Sequence, residues 1–125
     1  MVYLCDTNIL IEYLRGNTQI RDKLLIDKPG GLSISTISLM ELLLGANNQN
    51  EIRRIKKTFK DYHVIEIDET ISTLTRNLIE SYSKSHNLQI PDAFIAATSI
   101  TRKLPLFTLN VSDFNYLPQI KLITE

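Results

Sequence analysis

A chain of 125 residues with 43% hydrophobic and 22% charged side chains, four Gly and four Pro is one ordinary domain, residues 1–125, and not disordered, collagenous or low-complexity sequence. Fourteen Lys and Arg match fourteen Asp and Glu, which excludes a highly basic nucleic-acid coat protein though not a local basic patch. The one cysteine, Cys5, allows neither an internal disulfide nor a thiolate metal cage, and no apolar run approaches the ~18 residues of a membrane helix, so a soluble cytoplasmic protein without a membrane partner is expected.

Val2 to Cys5 is a short apolar run that reads as a central strand. Asn8 is placed to cap a helix over Ile9 to Arg15, with Gly16 at its C′ position. Ile20, Leu24 and Asp27 continue a helical spacing until Pro29-Gly30-Gly31 breaks it. Leu32 to Thr36 reads as the second strand. Ser38 then starts a helix through Leu44 that stops near Gly45. Asn50 to Tyr62 keeps Ile52, Ile55 and Phe59 on one helical face. Val64 to Ile67 is the third strand, and Asp68 caps a long helix to about Ser85. Pro91-Asp92 opens a helix, Ala93 to Arg102, whose small and apolar residues predict burial. Pro105 to Leu109 and Ile120 to Ile123 complete the strands.

Strands alternating with helices imply crossover connections and a mainly parallel sheet of about five strands, covered on both faces. Functional sites in such folds lie beyond the carboxyl ends of the strands, where the strand order reverses. Asp6 follows the first strand, Asn110 and Asp113 follow the fourth, Glu41 lies in the helix after the second, and Asp92 starts the helix leading to the fourth. Each has an ordinary explanation. Asp6 fits a helix-start acid worth about 0.3–1 kcal/mol. Ser38-Leu39-Met40-Glu41 matches a capping box, and Pro91-Asp92 is common helix-start grammar. Yet Glu41 and Asp92 sit on helices apolar enough to expect cover on most sides. No Lys or Arg lies between Ser33 and Leu44 or close to Asp92. Clustered carboxylates raise one another's pKa unless a cation neutralises them. All-oxygen ligands suit a hard ion such as Mg²⁺ or Mn²⁺, which can polarise a phosphodiester and activate water.

Four blocks resemble those of PIN-domain proteins, and among them the VapC-like toxins of prokaryotic toxin–antitoxin pairs. They are Leu4-Cys5-Asp6-Thr7-Asn8-Ile9-Leu10, Ile34 to Leu42, Pro91-Asp92-Ala93-Phe94-Ile95-Ala96-Ala97, and Leu106 to Phe114. The resemblance spans nearly the whole chain. It implies a three-layer α/β/α sandwich and a Mg²⁺- or Mn²⁺-dependent endoribonuclease acting on RNA, commonly a homodimer, inhibited by a cognate VapB-like antitoxin. Carried over by position, it implies Asp6, Glu41 and Asp92 as catalytic acids, with Asp6 and Asp92 as principal metal ligands and Glu41 holding or deprotonating the attacking water. The wider family often has an acid where this chain has Asn110, while VapC-like members often carry Asn. Asn orients a ligand but adds no charge, so Asp113 either compensates or only organises its loop. Thr7, Asn8 and Thr108 fit a supporting role, aiming the carboxylates.

Arg53-Arg54-Ile55-Lys56-Lys57-Thr58-Phe59-Lys60 carries five positive charges in eight residues and reads first as a solvated helix face. His63 and His86 have no partner spacing for a triad or zinc site. Tyr13, Tyr62 and Tyr82 read as core or interface aromatics and Cys5 as a small buried hydrophobe. Two other classes of function compete with the nuclease. One is a phosphoacceptor receiver domain, which needs an acidic pair after the first strand and an acceptor acid, Asp68 here, after the third. The other is a non-catalytic PIN-like scaffold that only binds a partner, supported by Asn110.

Overall fold

The computed structural model describes residues 2–27 and 29–123. Five short strands form one sheet: β1 (Leu4–Cys5), β2 (Ser33–Ser35), β3 (His63–Ile65), β4 (Leu106–Phe107) and β5 (Leu122–Ile123). Every pairing is parallel, in the order β3-β2-β1-β4-β5. The chain therefore winds outward from β1 to one edge, returns, and winds to the other. The reversal lies between β1 and β4, the place where α/β sheets build sites.

Alternation along the strands assigns side chains to two separate cores. Tyr3, Cys5, Ile34 and Phe107 point to one face, covered by α1 (Thr7–Leu14), α2 (Thr18–Asp27), α3 (Thr36–Gly45) and α4 (Gln49–Thr58). Leu4, Ile65 and Leu106 point to the other, beneath α5 (Glu69–His86) and α6 (Ile90–Arg102). This is the three-layer α/β/α arrangement. Ala93, Ala96 and Ala97 are fully buried, which lets the α6 backbone approach the sheet closely. Among the described residues no helix is long and apolar enough to cross a membrane.

The local start signals differ from several expectations. Asp6, not Asn8, caps α1, and Ser35, not Ser38, caps α3. In both cases the helix begins immediately after its strand, so the residue at the strand's end takes the capping position. Asp68 caps α5 as expected, accepting from the Ile71 amide at 2.8 Å. Helix α4 is capped by Asn48 and ends at Thr58, sooner than Tyr62. Helix α6 begins at Ile90 behind Gln89, which makes no side-chain cap. Helix α3 is not enclosed: Met40 and Leu44 are 51% and 89% exposed. The basic residues of α4 all face solvent while Ile55 and Phe59 are buried, as a solvated helix face requires.

Candidate active site

The carboxyl end of β1 leads directly into Asp6. Ending the strand there leaves the residue only 4% exposed, between the start of α1 and the end of β4. One oxygen, Oδ1, accepts from the Thr7 amide at 2.8 Å, and Oδ2 accepts from Thr108 Oγ1 at 2.8 Å. Thr108 Oγ1 in turn accepts from the Asn110 amide at 3.0 Å, so β4 and its following loop fix the orientation of Asp6. Burial raises the Asp6 pKa. The bonds from Thr108 and Thr7 oppose that rise, and the charges of Glu41 and Asp113 add to it.

Thr7 carries the second connection. Its Oγ1 lies 2.8 Å from both Ser38 Oγ and Glu41 Oε1. A hydroxyl has one proton to give, so Thr7 donates to the carboxylate and accepts from Ser38. The expected capping box is therefore not formed: Ser38 is buried inside α3, and Glu41, one turn further on, turns toward α1. Glu41 itself is exposed to solvent. The local sequence marks Ser38 for capping alone, because its link to Thr7 crosses 31 positions.

Asp92 lies in the first turn of α6. Desolvation pushes its pKa up to about 6, and Asp6, Asp113 and Glu41 each add to the shift. Asp113 ends a short 3-10 turn, Val111–Asp113, just after Asn110. The charges of Glu41 and Asp113 thus bear on both Asp6 and Asp92 at the point where the strand order reverses. Asn8 is placed differently from an aiming residue: its Oδ1 accepts from the Leu109 amide at 3.4 Å, tying α1 to the loop after β4. Among the described residues the ion pairs are Arg15–Glu12, Lys23–Asp27 and Arg102–Asp68. None involves Asp6, Glu41, Asp92 or Asp113. Nor do three acidic, His or Cys side chains of these residues converge closely enough to hold an ion on their own. Asp68 stands apart, at the end of edge strand β3 and paired with Arg102. The receiver arrangement, with that acid beside Asp6, is not realised.

Beyond Asp92 opens a cavity of about 240 Å³ whose walls include His86, Asn87, Asp113 and Tyr116. The His86 and Tyr116 rings stack 3.9 Å apart and 10° from parallel, and Tyr82 meets both at steeper angles. His86 carries no role that its sequence context marks. Thirty positions separate it from Tyr116, and no local pattern marks the pair.

Known proteins similar to this chain identify its family. The family described as PIN domain matches residues 3–117. Ribonuclease VapC10 of Mycobacterium tuberculosis is 35% identical over 120 residues, covering 94% of this chain and 90% of that protein. Ribonuclease VapC1 of Rickettsia felis is 32% identical over 132 residues, covering 99% and 96%. A toxin–antitoxin complex from Klebsiella pneumoniae contains a chain 30% identical, with a TM-score of 0.79 and 94% of each chain aligned. DNA-bound VapBC from Salmonella typhimurium superposes with a TM-score of 0.87 at 22% identity over 99% of this chain and 98% of that one, which speaks for the fold alone. The chain belongs to the PIN-domain family, as the resemblance of its four sequence blocks implies.

Proposed function

We propose that the chain is a divalent-metal-dependent endoribonuclease, the toxin of a toxin–antitoxin pair acting in the cytoplasm. The observation that carries this reading is the uncompensated charge at the switch point. Asp6 and Asp92 are both desolvated, both raised in pKa, and each is pushed further by its acidic neighbours. Carboxylates so placed are tolerated when a cation joins them. The donor set is all oxygen, which suits Mg²⁺ or Mn²⁺. Such an ion is commonly held by one or two carboxylates and keeps several waters, so the lack of three converging side chains does not conflict with it. The names of the relatives, ribonucleases VapC10 and VapC1, point to the same activity.

In this mechanism Asp6 and Asp92 would hold the ion, which would supply polarisation of the scissile phosphodiester and a lowered pKa for the attacking water. Thr108 and the Thr7 amide keep Asp6 in one orientation and favour its ionised form. Glu41, held by the Thr7 hydroxyl, orients the attacking water and accepts its proton. Asp113 adds negative charge where Asn110 adds none, and Asn110 acts through its amide on Thr108. RNA incubated with the protein and Mg²⁺ or Mn²⁺ tests the proposal. Cleavage that is indifferent to EDTA, or equal in an Asp6→Ala variant, overturns it.

The partner is a small VapB-like antitoxin, consistent with solved neighbours that are toxin–antitoxin complexes. The proposal extends to a homodimer; Leu25 and Ile26 on α2 and Met40 and Leu44 on α3 are exposed apolar side chains. A second reading, a non-catalytic scaffold, has Asn110 in its favour. It predicts a folded protein that takes up no divalent ion, which calorimetry with Mn²⁺ distinguishes.

A further inference from the structure

We infer that the stacked His86 and Tyr116 rings form a receiving face for one unpaired base of the RNA. The inference rests on the nuclease reading and deepens it, by naming what lies beside the scissile phosphate. His86 is the last residue of α5, and the chain turns away at Asn87 in a left-handed conformation with φ of 55°. That turn leaves the imidazole exposed while Tyr116 behind it is half-buried. The ring has contacts on several sides: Nδ1 lies 2.8 Å from Ser85 Oγ, one ring face lies on Tyr116, and Tyr82 meets the pair from the side. An aromatic face placed in this way stacks any base, because every base has a π-face.

The cavity beside it includes Asp92 in its wall. A base held there is therefore attached to the sugar-phosphate next to the proposed ion. The side chain of Gln89, also in the wall, donates to Asn87 Oδ1 at 2.9 Å and to the Asn87 carbonyl at 3.1 Å. These amides and Ser112 supply hydrogen-bonding groups at a base edge. A duplex would keep its bases out of reach, so the occupant is a base of a loop or single strand. His86 is a positioning residue here, since it touches the base rather than the reacting phosphate.

A single-stranded oligoribonucleotide carrying 2-aminopurine beside the cleavage site reads the stacking directly, by quenching of its fluorescence. With the full-length protein in EDTA, where binding and cleavage separate, quenching is expected. His86→Ala should abolish it and weaken binding about tenfold. His86→Phe, which keeps a ring, should restore it. With metal present, His86→Ala should raise KM and flatten the preference for one nucleotide next to the cut. Quenching and site choice unchanged in His86→Ala overturn the inference while leaving the nuclease reading standing. Quenching by a wild-type protein that cleaves no RNA sinks the nuclease reading instead. If His86→Ala weakens antitoxin binding alone, the face belongs to a protein partner and the inference falls.

Discussion

Asp6 and Asp68 both begin helices, each with a carboxylate oxygen accepting a backbone amide at 2.8 Å. Around that shared bond they differ. Asp68 is solvent-exposed, reaches Arg102 at 3.2 Å, and is held below the usual carboxylate pKa by the Ile71 amide and Arg102. Asp27, at the end of α2, is lowered likewise by the Tyr3 hydroxyl and by Lys23. Asp6 and Asp92 move the other way, because burial dominates and their nearest charges are acidic. In one set the surroundings favour the ionised carboxylate, and in the other they oppose it. A cap bond therefore says little about function. The sign of the surrounding charge and the depth of burial separate the two sets.

That contrast can be broken most directly by substitution. Asp92→Asn should reduce RNA cleavage by roughly 10²–10⁴-fold, with the thermal midpoint of the metal-free protein unchanged or raised. Asp68→Ala should lower the midpoint and leave cleavage near wild type. Equal losses of activity in the two variants would remove the distinction. Metal sharpens the comparison next: Mn²⁺ at about 100 times its Kd should stabilise the protein by ~2.7 kcal/mol. EDTA should reverse that gain, which Asp68→Ala should keep and Asp92→Asn should lose. Thr108→Val removes the hydroxyl donated to Asp6 and should weaken Mn²⁺ binding by about 10–100-fold in calorimetry.

The smallest expected effect is on pH dependence, and the two sets carry opposite signs. Asp92 is pushed up to about 6 from 3.8, so the folded state binds its proton more tightly than the unfolded chain does. Its contribution to stability is full below the ordinary value and is lost as pH rises through about 6. Asp27 and Asp68, held below 3.8, contribute above that value and lose their contribution as pH falls through their folded pKa. Midpoints of the metal-free protein between about pH 4 and 7 should therefore decline less in Asp92→Asn than in wild type. Mn²⁺ affinity should rise over the same range, as Asp92 gives up its proton. A decline of the same size in Asp92→Asn, or an Mn²⁺ affinity flat in pH, would contradict this assignment.

Much of the frame was legible in the order of residues. Alternating apolar strands and helical spacings determined a mainly parallel sheet covered on both faces, Asp68 announced its helix, and the four blocks determined the family and with it the three-layer architecture. They did so because apolar periodicity and local capping act over a few residues, and because each block carries its motif within one contiguous stretch. The bonds that turn these acids into a candidate site act over long separations. Thr108 reaches Asp6 across 102 positions, and Thr7 reaches Glu41 across 34. Only the parallel pairing of β1 with β2 and β4 brings those positions together. Tertiary structure likewise decided that Ser38 contacts Thr7 rather than capping its own helix, that Met40 and Leu44 face solvent, and that His86 meets Tyr116. Contacts of that kind depend on which strand lies beside which, a choice settled by burial across the whole sheet rather than by neighbours in the chain.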